Sequence, residues 1–229
     1  MCIRDRFTAD GNQIVDEEQY TVGNEASVAQ ALQKLQSKAA PDLIYFSGYA
    51  SDASILLTDL PTSGPYASMQ VMGGDALYEL GGYPPSARAG FSRLRFTAFA
   101  YPDEWDVLGL SAQKPKFFQD YPNYFDPSRQ HTSSPYGYTR PDNDVILSYD
   151  AMLAILHGAS IVGKQSFTGA DLQRALTQIN GANSFQGVSG QIAFGPDGNP
   201  VNKAFVILHV SPEGFIQMEP TVLGTFLKK

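Results

Sequence analysis

A strand, a polar loop, a helix and a second strand follow one another between residues 41 and 75, and this order constrains the fold more than any other feature. Leu43–Phe46 is a short, continuous apolar run, which is typical of a strand buried on both faces of a parallel sheet. Ser51 is a suitable N-cap for the helix that follows. Met69–Met72 is predicted to be the second strand. The stretch therefore predicts a βαβ unit.

The loops that follow these two strands are the predicted ligand site, because ligands in an open α/β sheet bind outside the carboxyl ends of the strands. The helix start in the first loop favours a carboxylate through its exposed N–H groups, and an acidic side chain in the second loop favours an ammonium group. Together they suit a zwitterion. The alternative that Asp75 only caps a helix beginning at Ala76 stays open. The candidate residues are Ser47, Gly48, Tyr49, Gly74 and Asp75.

Strands and helices also alternate on either side of this stretch. Gln13–Tyr20 reads as a short strand, and the helix after it carries an apolar stripe that includes Val28 and Leu32. Arg93–Phe99 alternates between apolar and polar residues, which predicts a half-buried strand near an edge of the sheet. Alternation of this kind predicts the α/β fold class with a parallel sheet.

The second half begins with a segment rich in Pro, Asn, Asp and aromatic residues, Tyr101–Arg140, which is predicted to cross between two halves of the protein. Val145–Val162 is apolar on nearly every face and is predicted to be a helix buried in a core. Thr168 opens a second helix with a pattern that resembles a capping box. Strands at Gly190–Phe194 and Lys203–Val210 follow.

Composition excludes several function classes. The 229 residues carry a formal charge of −7, which argues against nucleic acid or an anionic membrane surface as a partner. The three histidines lie in unrelated contexts. The single cysteine, Cys2, lies in the first six residues, which match no pattern that follows them and are interpreted as a stray leader, so no metal site is predicted. No nucleophile elbow or phosphate-binding glycine motif is present. We therefore expect no cofactor and no catalysis.

Five short motifs share their order and spacing with a known family. The chain resembles the type I periplasmic binding proteins, the Leu/Ile/Val-binding-like solute receptors of branched-chain amino acid ABC transporters. The resemblance covers nearly the whole chain after the first six residues. The motifs that carry it are Pro41–Tyr49, Met72–Asp75, Ser148–Met152, Phe185–Gly190 and Phe194–Gly198.

The resemblance implies a two-lobe architecture from which most of the first lobe is missing. It implies capture of an amino acid or a related small polar solute by hinge closure, and delivery to an ABC permease from a periplasmic or extracellular position. Asp75 matches the acidic position that receives the α-ammonium group, and Tyr49 lies where an aromatic residue touches the ligand. The implied division is a leader (1–6), a ligand-binding lobe (7–100), a crossover with the helices of the incomplete lobe (101–195) and returning strands (196–229).

Without the facing lobe, we expect this chain to bind its solute weakly or not at all. Two alternatives to the transport function stay open. One is a sensory ligand-binding domain of the same fold. The other is an α/β enzyme that acts on an amino acid with Asp75 as general base.

Overall fold

The computed structural model describes residues 3–130 and 139–228. Cys2 and residues 131–138 of the predicted crossover lie outside the described residues. Seven strands form one five-stranded sheet and one hairpin. They are β1 (Leu43–Phe46), β2 (Gln70–Gly73), β3 (Leu94–Ala98), β4 (Phe185–Gly187), β5 (Gly190–Ile192), β6 (Phe205–Val210) and β7 (Ile216–Leu223).

Seven α-helices are described, and several match the predicted ranges. α1 joins the six-residue leader to the residues after it in one short exposed helix. The helices are α1 (Ile3–Ala9), α2 (Glu25–Gln36), α3 (Ala50–Asp59), α4 (Glu104–Val107), α5 (Phe117–Phe125), α6 (Asn143–Val162) and α7 (Gly169–Leu176).

The five-stranded sheet has the order β1-β2-β3-β6-β7 and mixes two strand directions. β1, β2 and β3 are parallel, as the βαβ pattern predicts. β6 pairs antiparallel with β3, and β7 pairs antiparallel with β6. The α/β prediction is confirmed. The edge position predicted for residues 93–99 is wrong, because a strand from the far end of the chain covers the outer side of β3.

Only one face of this sheet is fully covered. Val71, Leu94, Phe96 and Leu208 have no exposed surface and pack with α2 and α3 in the main core. The prediction that β1 is buried on both faces is wrong, because its side chains alternate and Tyr45 keeps 45% of its surface exposed. An apolar run shows that a strand can be covered on both faces, but not that both covering layers are present.

Residues 13–20 do not form the predicted strand. They run without regular structure. Their acidic side chains form ion pairs, Glu17 with Arg4 of α1, and Asp16 and Glu18 with lysines in and just after α2. Lys38 donates to Asp16 at 2.6 Å and to Glu18 at 3.2 Å. Because these carboxylates lie among exposed neighbours, the segment has no apolar face to add to the sheet.

α6 begins and ends where its sequence predicts. The side chain of Asp142 caps it by accepting from Val145 N–H at 2.8 Å, and Gly163 ends it in the left-handed conformation. Thr168 and Asp171 form the capping box of α7. The prediction that α6 is buried all round is wrong. One side packs against α7 and the hairpin, and the other side is exposed.

Asp150 joins two of the sequence motifs in space. Its buried carboxylate accepts hydrogen bonds from the backbone N–H groups of Val188 at 2.7 Å and Ser189 at 2.9 Å. A Cβ on Gly187 would lie 2.6 Å from a carboxylate oxygen of Asp150, so only glycine fits there. The hairpin is therefore fixed on α6 by one acidic side chain.

Candidate functional site

The two predicted loops leave the sheet side by side. β1 and β2 are parallel neighbours in which Phe46 lies opposite Gly73, so Ser47 and Gly74 are the first residues beyond the sheet on each strand. The polypeptide reverses direction at both points, into α3 on one side and into a 3₁₀ turn at Asp75–Leu77 on the other. The topology thus brings the predicted residues to one carboxyl edge.

Tyr49 lies at the N-cap position of α3. Its extended backbone (φ −96°, ψ 161°) starts the helix one residue later, at Ala50. The prediction that Ser51 is the N-cap is wrong, since Ser51 lies inside the first turn. The Tyr49 side chain makes no capping hydrogen bond and keeps 59% of its surface exposed. Its ring is therefore free to contact a ligand at this edge.

Gly48 is required by a contact with the segment that precedes α2. A Cβ at this position would overlap the hydroxyl of Tyr20 and lie 2.9 Å from Cε1 of Phe46. Tyr20 stacks on Phe46 with ring centroids 5.4 Å apart, and its hydroxyl donates to the carbonyl of Ser47 at 3.3 Å. Tyr20 thus supports the first loop by packing on Phe46 and bonding to Ser47, a role that the sequence pattern did not predict.

Asp75 opens the 3₁₀ turn and is exposed. The N-cap position belongs to Gly74, which has no side chain, so Asp75 is not the N-cap of this turn. A Cβ on Gly74 would meet one neighbour only, the hydroxyl of Tyr45 at 3.8 Å. The space beside Gly74 is therefore open, whereas Gly73 packs against Leu77.

Tyr45 is the site residue that sequence reasoning missed. Its hydroxyl lies near Gly74, and its pKa is raised first by partial burial and then by the negative charge of Asp75. The half-exposed ring of Tyr45 belongs to β1, and the exposed ring of Tyr49 belongs to the loop that follows β1. Leu43 and Tyr45 are two residues apart in β1 and so lie on the same face of the sheet, the exposed one. The expectation that both faces of β1 are buried hid this signal.

Asp52 makes the helix start less attractive to anions than its N–H groups alone imply. Its side chain is fully buried in the first turn of α3, where one oxygen accepts from Gly23 N–H at 2.9 Å. Its other oxygen has no partner among the residues that the structure describes. With one acidic side chain in the first turn of α3 and the exposed side chain of Asp75 at the second loop, this edge favours a cationic group.

The site is an open edge, and two surface hollows lie elsewhere. One, of about 600 Å³, is lined by residues of α1 and the segment after it, and the other, of about 560 Å³, lies at the start of α2. In the described ranges, 3–130 and 139–228, no group of three or more His, Cys, Asp or Glu side chains is arranged to hold a metal ion.

No protein-family model and no curated protein matches this sequence. Solved structures do match it. The leucine-binding protein LivK from Thermotoga maritima aligns over 96% of this chain at 20% identity, with a TM-score of 0.64. The branched-chain amino acid transporter substrate-binding protein LivJ from Streptococcus pneumoniae, solved with isoleucine, aligns over 96% at 18% identity, with a TM-score of 0.64. The fold is that of the type I periplasmic binding proteins.

An ABC transporter substrate-binding protein from Aeropyrum pernix gives the same result, with 97% of this chain aligned at 17% identity and a TM-score of 0.63. The resemblance read from the motifs is therefore confirmed at the level of the fold. The chain spans about 55% of the length of each of these three structures. The type I binding-protein fold is thus represented here by part of its usual length.

Proposed function

We propose that this chain contributes one half of the solute-binding cleft of an ABC transporter substrate-binding protein that acts outside the cytoplasm. The solute is an amino acid or a related small amine, which is captured by hinge closure about the crossover and delivered to a membrane permease. The observation that carries the proposal is the convergence of exposed Asp75 with Tyr45 and Tyr49 at the carboxyl edge of β1 and β2.

The chemistry of this half favours the amine end of the solute. The carboxylate of Asp75 pairs with an ammonium group, and aromatic faces attract cations through their quadrupole. The carboxylate of the solute then has to be held by groups outside this edge, which is consistent with a cleft formed by two lobes.

The experiment is a titration of the isotopically labelled chain with leucine, isoleucine and their amides, followed by backbone amide NMR. We expect shifts at Tyr49, Gly74 and Asp75 with a dissociation constant on the order of 1 mM, since half of the contacts leave only about 4 kcal/mol of binding free energy. Asp75→Asn is expected to remove the shifts, whereas Asp59→Asn, an exposed carboxylate at the other end of α3, leaves them unchanged.

Three results contradict the proposal. A micromolar dissociation constant means that the site is already complete in this chain. Shifts that Asp75→Asn leaves in place locate the solute elsewhere. Conversion of the solute to a product, abolished by Asp75→Ala, means that the edge is catalytic.

A further inference from the structure

Three described segments join the five-stranded sheet to the α6 unit, the part of the fold that consists of α6, α7 and the hairpin. They run at residues 99–103 after β3, 193–204 before β6 and 224–228 after β7. Trp105, which closely follows the first segment, packs with Ala204 of the second and Phe226 of the third in one buried cluster. The three segments therefore meet at a single junction.

Glu104 is buried in this junction next to Trp105, with 1% of its surface exposed. One of its oxygens accepts from the backbone N–H of Tyr101 at 3.2 Å, and the other has no partner among the residues that the structure describes. A carboxylate taken out of water needs a donor at each oxygen, so this arrangement favours the neutral, protonated carboxyl group.

Lys203, which directly precedes Ala204, supplies an ammonium group to the same junction. That group donates to the hydroxyl of Ser189 at 2.6 Å and also to the carbonyl of Ser189, and not to Glu104. Ser189 lies between the two strands of the hairpin. The lysine is therefore a tie between the α6 unit and the junction, and Glu104 is left without a partner for its charge.

Few charged groups act on Glu104 or lie beside it in the chain. They are Lys203 before β6, Asp150 of α6, Lys114 after the 3₁₀ turn at Ser111–Gln113, and Asp103 and Asp106 in and before α4. The two lysines favour ionisation of Glu104 and Asp150 opposes it, but burial is the largest effect and raises the pKa of Glu104 to about 8. Asp106 pairs with Lys114, and Asp103 pairs with an arginine. β7 contributes an apolar side chain, Val222.

We propose that Glu104, Lys203 and Ser189 form a pH-sensitive switch at the junction between the sheet and the α6 unit. While Glu104 is protonated, Lys203 remains bound to Ser189 and the junction is closed. When Glu104 releases its proton to solvent at alkaline pH, the buried carboxylate attracts the ammonium group of Lys203 away from Ser189, and the hairpin loses its tie to the junction. The switch does not depend on which solute binds at the carboxyl edge of the sheet.

Trp105 reports on this switch, since it is the only tryptophan in the sequence and its indole N–H donates to the carbonyl of Val188 at 2.8 Å. The experiment follows the fluorescence of Trp105 in the 229-residue chain between about pH 6 and pH 10, together with the NMR signals of its indole N–H and of the backbone amides of Val188 and Ser189. We expect one transition with its midpoint near pH 8, in which the emission moves to longer wavelength as water reaches the indole ring.

Three variants test the assignment. Glu104→Gln keeps the shape of the protonated carboxyl group, so it should remove the transition and keep the low-pH spectrum throughout. Lys203→Met should raise the midpoint by about one pH unit, because it removes a cation that favours ionisation of Glu104. Asp106→Asn, an exposed acidic position in the same helix, is the matched control and should keep the midpoint of the parent.

Several results would overturn the switch. The absence of a transition in the parent means that the junction does not respond to pH. A transition that Glu104→Gln leaves in place, or one centred near pH 6.5 as for a histidine, assigns the change to another group. A simultaneous loss of far-UV circular dichroism means that the whole chain unfolds. If Glu104→Gln does not fold, the carbon NMR signal of the Glu104 carboxyl group in the parent decides, because a midpoint near pH 4.5 excludes the switch.

Discussion

Asp150 and Ser189 are joined by two hydrogen bonds. The backbone N–H of Ser189 donates to a carboxylate oxygen of Asp150 at 2.9 Å, and the Ser189 hydroxyl donates to the same oxygen. Lys203 then donates to that hydroxyl at 2.6 Å, so the network ties α6, the hairpin and the segment before β6 together. Asp150 and Ser189 are almost fully buried, whereas Lys203 is partly exposed.

We predict that Asp150→Asn lowers the free energy of unfolding by about 2–4 kcal/mol, because the amide turns a donor toward N–H groups that need an acceptor. Urea denaturation followed by circular dichroism measures the change. Asp144→Asn, at an exposed position on the same helix, is the control and should cost less than about 1 kcal/mol. Equal losses in the two variants would show that the network does not stabilise the hairpin.

A second prediction concerns pH and Glu104. Its side chain is 1% exposed, and burial raises its pKa to about 8 although the charge of Lys203 opposes this shift. One oxygen accepts from Tyr101 N–H at 3.2 Å, and the other has no partner in the described part of the chain. Burial also lowers the pKa of Lys203, which the charges of Asp150 and Glu104 oppose.

Because the unfolded chain releases this proton near pH 4.5 and the folded chain retains it to about pH 8, stability should fall as pH rises through that window. Glu104→Gln is expected to remove this loss, which is at most about 1.4 kcal/mol per pH unit. The variant should therefore be more stable than the parent at pH 8 by roughly 4 kcal/mol. Thermal unfolding at pH 5 and pH 8 measures the difference. Glu25→Gln, on the exposed surface of α2, should track the parent, and a Glu104→Gln profile parallel to that of the parent would contradict the burial argument.

A third prediction separates the two loop glycines of the candidate site. Gly48→Ala should lower the free energy of unfolding by about 1–3 kcal/mol, since its Cβ overlaps the Tyr20 hydroxyl and crowds Phe46. Gly74→Ala should change it by less than about 0.5 kcal/mol, because the space there is open. Chemical denaturation of the two variants side by side gives the comparison. A larger loss at Gly74 would mean that the second loop is more crowded than its surroundings indicate.

The fourth prediction concerns Arg93, whose guanidinium group holds the connection between α3 and β2. It donates to the carbonyls of Met69 at 2.7 Å and Pro61 at 3.0 Å, and also to that of Tyr66. Arg93→Met is expected to lower the free energy of unfolding by about 3–5 kcal/mol, because two buried carbonyls and one partly buried carbonyl lose their donor. Arg88→Met, an exposed change in the 3₁₀ helix Pro85–Arg93 that also contains Arg93, should cost little. Limited proteolysis would locate the loosened loop between residues 61 and 69.

The sequence predicted the bounds of helices and strands better than it predicted which residues are buried. α6 was predicted within a few residues at each end because its caps, Asp142 and Gly163, are local signals. Its burial was overestimated because apolarity reports what a helix can bury and not which partner is present. The same reason explains β1, whose two-sided apolar run made Tyr45 look like a core residue.

For the candidate site, parallel pairing of β1 and β2 confirms that the two loops lie at one edge, which the βαβ pattern alone predicted. The long-range contacts that support the site could not be predicted from the sequence. Tyr20 lies in a segment without regular structure and contacts Gly48 from 28 residues away, and Asp150 contacts Gly187 from 37 residues away. No local periodicity encodes such long-range contacts. For Asp150, the one available signal was an acidic residue inside an otherwise apolar helix, which indicates a buried hydrogen-bond partner.

The position of β6 has a consequence for how the protein is made. β3 ends at Ala98, and the strand that covers its outer side begins only at Phe205. During synthesis the three parallel strands therefore emerge from the ribosome long before their sheet is closed, and β3 has an unpaired edge for most of that time. Since such distant pairing slows folding, this nascent chain should depend on chaperones until β6 and β7 are released.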